Sequence, residues 1–378
     1  MSEKHLLLVT PDFPPNEGGV ARYLQAVAEH LKDRIEVLAD PHPLWNTFDP
    51  QAGYPVYRAP LLSRFIWPRW LKTVRYLWTY RSRYDLILTS HVLPIGSAAL
   101  LAKKFTGTPY VLFVHGMDIR LAASSSRKRR LATKVLQGAR LVVANSQALA
   151  RELASDFGIH EVLVIYPCVP LPPPPPTPHG GRGPDRSVGA HPLSPPGPFT
   201  LLTVSRLVER KGHTHVLNAL AHLRGTGELG VFVYHIVGEG PMELSLRSMV
   251  ETLDLSRQVV FHGKVSDEER QRLYQESDVF VMPISQDPVD KEGFGLVYIE
   301  AAAAGLPSIA TNVEGVDEAV IDQQTGLLLE SQDERLLASA IVFLARNPEL
   351  RSSMSLQARE HAKTFTCQNQ MSKLDLYL

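Results

Sequence analysis

Residues 278–311 read DVFVMPISQDPVDKEGFGLVYIEAAAAGLPSIAT. The runs 278–284 and 307–311 are short and apolar, without polar alternation. Strands apolar on both faces belong inside a parallel sheet covered by helices. Between them, Gly293 and Gly295 open an alanine-rich helical stretch. Strand, helix, strand is the repeating unit of an α/β fold.

The same alternation continues on either side. FTLLTVS (199–205), VFVYHIVG (231–238), QVVFHG (258–263) and GLLLE (326–330) are further strands. The helix 266–276 opens on Ser266 with Glu269 three residues on, a capping box. From about 333 the pattern is helical, with Pro348 as a joint. In the first half, HLLLVT (5–10), IEVLAD (35–40), DLILTS (85–90), YVLFVH (110–115), ARLVVAN (139–145) and VLVIY (162–166) alternate with helices at 20–32, 94–105, 127–138 and 147–157. Residues 167–198 hold 13 of the 29 prolines and read as a linker. The expected organisation is α/β: two Rossmann-like, doubly wound domains facing across a cleft. It comprises an N-terminal domain (1–168), a Pro-rich linker (169–198), a C-terminal domain (199–354) and a helix (355–378) crossing back to the first domain.

The 378 residues are 44% hydrophobic and 21% charged, which excludes wholesale disorder. Lys+Arg and Asp+Glu are both 39, so the positive excess of a nucleic-acid binder is absent. Cys168 and Cys367 are too few for a disulfide framework and form no C-x-x-C, so a reducing compartment is expected. The opening MSEKHLLLVTPDF reads as a strand, not a secretory signal, and no stretch reaches the ~18 apolar residues of a membrane span.

Ligands in doubly wound sheets bind beyond the carboxyl ends of the strands, so the residues there carry the functional reading. Gly18 and Gly19 follow the first strand, where backbone N–H groups can approach an anion; an ordinary tight turn is the competing account. G-x-G-x-x-G is absent there, which argues against NAD. His115 ends another strand and can donate to a sugar hydroxyl or phosphate, or be a structural turn histidine. Arg206 and Lys211 leave a strand just before a helix and suit a diphosphate without metal; a solvated basic loop is the alternative. Gly238-Glu239-Gly240 is a further strand-to-helix turn over which a ligand can lie. Glu292 and Glu300 are too far apart in rise and rotation to form a carboxylate dyad, so each can accept from a different hydroxylated ring. No D-x-D, P-loop or G-x-S-x-G occurs.

Taken in order, these motifs resemble the family 4 retaining glycosyltransferases of GT-B fold, in particular their mannosyltransferase branch. The resemblance rests on Gly18-Gly19, His115-Gly116-x-Asp118, Asn145-Ser146, Arg206 with Lys211, Gly238-Glu239-Gly240 and the E-x7-E pair Glu292/Glu300. It implies that Glu300 binds ribose, that Glu292 holds the donor sugar, and that Arg206 and Lys211 neutralise the diphosphate in place of a metal. The backbone at Gly293, Phe294, Gly295 and Leu296 would face the donor. Gly18 and Gly19 would approach the phosphates, His115 the transferred sugar with Asp118 nearby, and Gly263-Lys264-Val265 the base. The expected catalytic set is His115, Glu292, Arg206 and Lys211, with no metal and no cofactor.

The implied reaction is retaining transfer of a sugar, with mannose from GDP-mannose as the leading donor, to a glycan or lipid-linked acceptor. A UDP-sugar donor is the alternative; a GT-B sugar-nucleotide epimerase and an inactive nucleotide-sugar-binding scaffold are further ones. Residues 64–84, RFIWPRWLKTVRYLWTYRSRY, hold six basic residues among tryptophans and tyrosines and no acid. With Arg127-Lys128-Arg129-Arg130 they suit an anionic membrane surface, or else form a helix with an aromatic core face and a solvated basic one. The expected location is cytoplasmic, peripheral on the inner leaflet.

Overall fold

The computed structural model describes residues 5–16, 18–65, 67–171, 197–285 and 294–378. They form two compact units. One runs to Cys168 and takes in Phe294 and Cys367–Leu378; the other holds the remaining described residues from Val169 to Thr366.

The first unit is built on parallel strands β1 (Leu6–Thr10), β2 (Ile35–Ala39), β3 (Val56–Arg58), β4 (Leu86–Ser90), β5 (Tyr110–Val114), β6 (Leu141–Ala144) and β7 (Val162–Val164). Their order is β3-β2-β1-β4-β5-β6-β7. Side chains alternate across the sheet with period 2. Leu7, Val9, Ile87, Tyr110, Leu112 and Val114 enter one core, whereas Leu6, Leu8, Leu86, Leu88, Val111 and Phe113 enter the other. Burial on both faces is why these strands read as unbroken apolar runs. Each fully buried leucine or valine contributes about 1.5–3 kcal/mol relative to exposure. The edge strand β3 has no such signature: its three residues are only partly covered or exposed.

The second unit repeats the plan with β8 (Phe199–Val204), β9 (Phe232–Val237), β10 (Val259–Gly263), β11 (Val279–Met282), β12 (Ser308–Thr311) and β13 (Gly326–Leu329), in the order β10-β9-β8-β11-β12-β13. Ser266 caps the helix Asp267–Glu276 by accepting from the Glu269 N–H, while the Glu269 carboxylate turns to Arg272 instead of closing the capping box. Pro348 starts the helix Pro348–Lys363 directly after the helix Glu334–Arg346. The expected Pro-rich linker lies mostly outside the described residues.

The cysteine reading needs correction. Cys168 and Cys367, 199 residues apart, are disulfide-bonded with Cα atoms 4.8 Å apart. Spacing along the chain cannot reveal a pair that only the tertiary fold brings together. The bond removes the cysteines as an argument for a reducing compartment. The segment after Cys367, rather than the whole stretch from 355, belongs to the first unit. Gln370 there accepts from the Tyr166 N–H at 3.0 Å, and Asp375 pairs with His30 at 3.0 Å and Arg34 at 3.6 Å.

Candidate active site

Each sheet has one point where strand order reverses, and there the loops part to leave a crevice. In the first unit this is between β1 and β4; in the second, between β8 and β11.

At the first reversal stand Asp12, after β1, and His91, after β4. His91 Nε2 is 3.1 Å from Asp12 Oδ2, and its Nδ1 is 2.8 Å from the Ser90 hydroxyl. Ser90 in turn meets Thr10 at 2.7 Å, and the Thr10 hydroxyl bonds the Asp12 backbone. His91 adopts φ +67°, a left-handed conformation uncommon among residues other than glycine. The bond from His91 holds the Asp12 carboxyl below the usual carboxylate range, against the opposing effect of burial. Burial alone would lower the His91 pKa, but the bond to Asp12 and the charges of Asp118 and Asp12 raise it.

Next door, His115 follows β5, its ring edge-on to Tyr23 at 5.5 Å and 6.2 Å from that of His91. Burial pushes its pKa down to about 4, against the pull of Asp118. Its Nε2 is buried with no hydrogen-bond partner among the described residues, as is Asn145 Oδ1 at the end of neighbouring β6. Unsatisfied buried polar atoms at strand ends are what a polyhydroxylated ligand would complete. Asp118 behaves differently: it is 8% exposed, and its two oxygens accept the Val92 and His115 N–H groups. It braces the loops after β4 and β5 rather than reaching outward. Gly18 has φ +149°, and a Cβ on Gly18 or Gly19 would meet nothing within 4 Å. Gly19 opens the helix Gly19–His30, so a ligand has room to approach its backbone.

At the second reversal, Arg206 is exposed and Lys211 is 7% exposed. Their loop is held by backbone contact. A Cβ on Gly238 would lie 1.9 Å from Ser205 O, one on Gly240 2.4 Å from Leu207 O, and one on Gly212 2.0 Å from Pro283 O. Glycine at 238 and 240 is thus explained by packing against the Arg206 loop, without a ligand. His213 is 1% exposed; its Nε2 meets the Ser205 hydroxyl at 3.0 Å, and burial lowers its pKa to about 4.

Gly295, at φ +75°, caps the helix Leu296–Ala304, so Gly295 and Leu296 stand at a helix N-terminus. Phe294 is buried. Glu300, one carboxylate of the expected pair, has a side chain 17% exposed and pairs with Arg270 at 3.5 Å, while the Tyr274 hydroxyl donates to its Oε2 at 3.1 Å. Glu292 and Gly293 lie outside the described residues. Gly263 has φ +63° and accepts from the Gly238 N–H; Lys264 beside it is exposed and Val265 partly covered. Asp12, His91, Arg270 and Tyr274 carry no motif and were not singled out in sequence. The fold class alone could have pointed to His91, as the residue directly after a strand at the reversal.

Two units, each a Rossmann-like parallel sheet, are the architecture of the GT-B fold. Residues 17–172 match the family described as Glycosyltransferase Family 4, and residues 190–361 match Glycosyl transferases group 1. The chain belongs to this glycosyltransferase family and is a hexosyltransferase. It is 29% identical to a GDP-mannose-dependent alpha-(1-6)-phosphatidylinositol monomannoside mannosyltransferase of Mycolicibacterium smegmatis, covering 94% of this chain and 93% of that one. It is 30% identical to a D-inositol 3-phosphate glycosyltransferase of Paenarthrobacter aurescens, over 75% of this chain and 69% of the relative. Among solved structures, Anabaena Alr3699/HepE in complex with UDP shares the fold, with TM-score 0.76 at 20% identity over 98% of both chains.

Proposed function

We propose that this glycosyltransferase moves mannose from GDP-mannose, with retention and without a metal, to a lipid-linked acceptor bearing an inositol phosphate. The near full-length similarity to the Mycolicibacterium smegmatis enzyme carries this reading. The names of both relatives above contain an inositol phosphate, which supports the acceptor class.

In this reading the C–O bond between mannose and diphosphate breaks, leaving negative charge on phosphate and positive charge on the sugar ring. Arg206, Lys211 and the N–H groups opening the helix Leu296–Ala304 stabilise the first charge as it develops. Glu300 accepts from the ribose hydroxyls and Glu292 from those of mannose. His115, neutral at pH 7, donates or accepts at a sugar hydroxyl without adding charge. Asp12, kept ionised by His91, accepts from a hydroxyl of the acceptor. The acceptor oxygen attacks from the face the diphosphate leaves, and its proton passes to the departing phosphate oxygen, giving retention.

Exposed rings support a membrane-bound acceptor. Phe65 is 98% exposed and Trp67 87%, and Trp78, Tyr80 and Phe105 are also exposed. Arg81 stacks on Trp78 at 4.9 Å, and residues Arg127 to Arg130 are all exposed. Tyr76 of this segment packs against the core, while the exposed rings beside basic side chains support an anionic surface. Among the described residues no helix is long and apolar enough to cross a membrane. The proposal therefore includes peripheral attachment at an anionic membrane surface.

The test is a thermal-shift and calorimetric panel of GDP, UDP, ADP and their sugar conjugates, with and without chelator. Selective binding of GDP and GDP-mannose, unchanged by chelator, is expected. Selective uridine binding overturns mannose, and loss of binding in chelator overturns the metal-free step. Flotation with phosphatidylinositol-containing vesicles at physiological salt tests the surface: protein left at the bottom of the gradient overturns it.

A further inference from the structure

The helix Asp267–Glu276 carries two residues that enter neither the motifs nor the mechanism above. Arg270 and Tyr274 are four positions apart, so they share a face, and both reach Glu300. The phenol of Tyr274 donates to Glu300 Oε2 at 3.1 Å and also contacts the carbonyl of Val297 at 3.4 Å. Val297 and Glu300 are one turn apart on one helix, so a single hydroxyl ties the carboxylate to the turn that bears it. The Tyr274 ring is 4% exposed and packs 6.0 Å from that of Phe280, which fixes its direction. Arg270 Nε lies 3.5 Å from the same Oε2, while its Nη1 is held by Asp267 at 2.8 Å. The carboxylate is thus confined in direction from two sides.

We propose that Arg270 and Tyr274 are positioning residues that aim the Glu300 carboxylate and thereby set how strictly the enzyme demands a complete ribose. The inference rests on the reading of Glu300 as the ribose acceptor. A carboxylate already held in one direction loses little freedom when it accepts from a ribose hydroxyl, so an aimed Glu300 favours the complete ribose over a deoxyribose. An unaimed one turns to water and rejects it weakly. Burial, and then the charge of Glu300, raise the Tyr274 pKa well above its ordinary value, so the phenol keeps its proton and donates.

The test uses the full chain and calorimetric titration with GDP, 2′-deoxy-GDP and 3′-deoxy-GDP. The wild type is expected to bind GDP about tenfold or more tighter than the deoxy analogue whose hydroxyl Glu300 reads. Tyr274→Phe, which keeps the ring, and Arg270→Gln, at a partly exposed site, should weaken GDP several-fold while leaving that analogue nearly unchanged. The ratio then collapses towards one. A wild-type ratio in both variants overturns the inference, since a merely structural defect weakens all three ligands together. Glu300→Gln separates the two levels. If Glu300→Gln binds GDP as the wild type does, the ribose reading itself falls, and the clamp with it.

Discussion

His91 Nε2 lies 3.1 Å from Asp12 Oδ2, joining the loops after β1 and β4 where the strand order of the first unit reverses. The contact links residues 79 positions apart and shifts each towards its charged form. A depressed Asp12 pKa gives stability present above its unfolded value, about 3.9, and lost as pH falls through the folded one. A raised His91 pKa gives stability present below about 6.5 and lost as pH rises through the folded one.

His91→Asn, which tolerates positive φ, should therefore lose about 0.5–1 kcal/mol between pH 4 and 6.5 and progressively less above it. Melting temperature of wild type and variant from pH 4 to 9 measures this; a constant difference contradicts it. Asp12→Asn should lower turnover about 10- to 100-fold with GDP affinity unchanged, as one charge-assisted hydrogen bond to the acceptor predicts.

His213 works in the opposite direction. Its pKa, lowered to about 4 by burial, makes the folded state lose stability as pH falls from 6.5 towards 4. The loss is on the order of 3 kcal/mol. His213→Gln keeps a donor for Ser205 and has no charge to acquire. Its urea midpoint should fall less than that of the wild type over this range, and a parallel fall would rule the assignment out.

The glycines at 19 and 212 should separate function from folding. Gly212→Ala combines φ +76° with a Cβ 2.0 Å from Pro283 O and should cost about 2 kcal/mol or more, weakening nucleotide binding as the Lys211 loop shifts. Gly19→Ala meets nothing within 4 Å and improves helix propensity, so stability should hold or rise slightly. If donor phosphates approach that backbone, turnover nonetheless falls. Thermal melts and initial rates on the two variants decide.

Arg58 and Asp49 form an ion pair whose side chains are 8% and 9% exposed, and Arg58 also donates to the Asp40 and Pro14 carbonyls. Arg58→Met leaves a buried carboxylate unpaired and should cost about 3–5 kcal/mol. Arg58→Met with Asp49→Leu should cost clearly less. Denaturant midpoints for both variants test this, and equal losses would mean that the carbonyl contacts, not the pair, hold the loop.

The legibility of the sequence followed the range of each interaction. β1, β4, β5, β11 and β12 are buried along their whole length, and that burial is written locally as apolar runs; the partly covered edge strands β7, β10 and β13 still carry apolar runs, whereas β3, with Tyr57 exposed and Arg58 beside it, carries none. Arg206 and Lys211 stood out because a strand end gives such residues a place, and Glu300 because it completes the E-x7-E pair with Glu292. Asp12 with His91 did not, since an ion pair between separate loops has no spacing to read. Tyr274 carries no signal of its own, since only the packing of two helices turns its hydroxyl towards Glu300. The disulfide was missed for the same reason at longer range.

That disulfide also describes an architecture of hosting. Apart from Phe294, the chain leaves the first unit at Cys168 and resumes it at Cys367, with Cα atoms only 4.8 Å apart. One trans peptide spans 3.8 Å, so a bridge of one or two glycines would close the gap. In genetic terms the second unit is a cassette spliced into a host whose own ends already meet. The equivalent unit of a relative could be exchanged at this junction without disturbing the register of the host sheet.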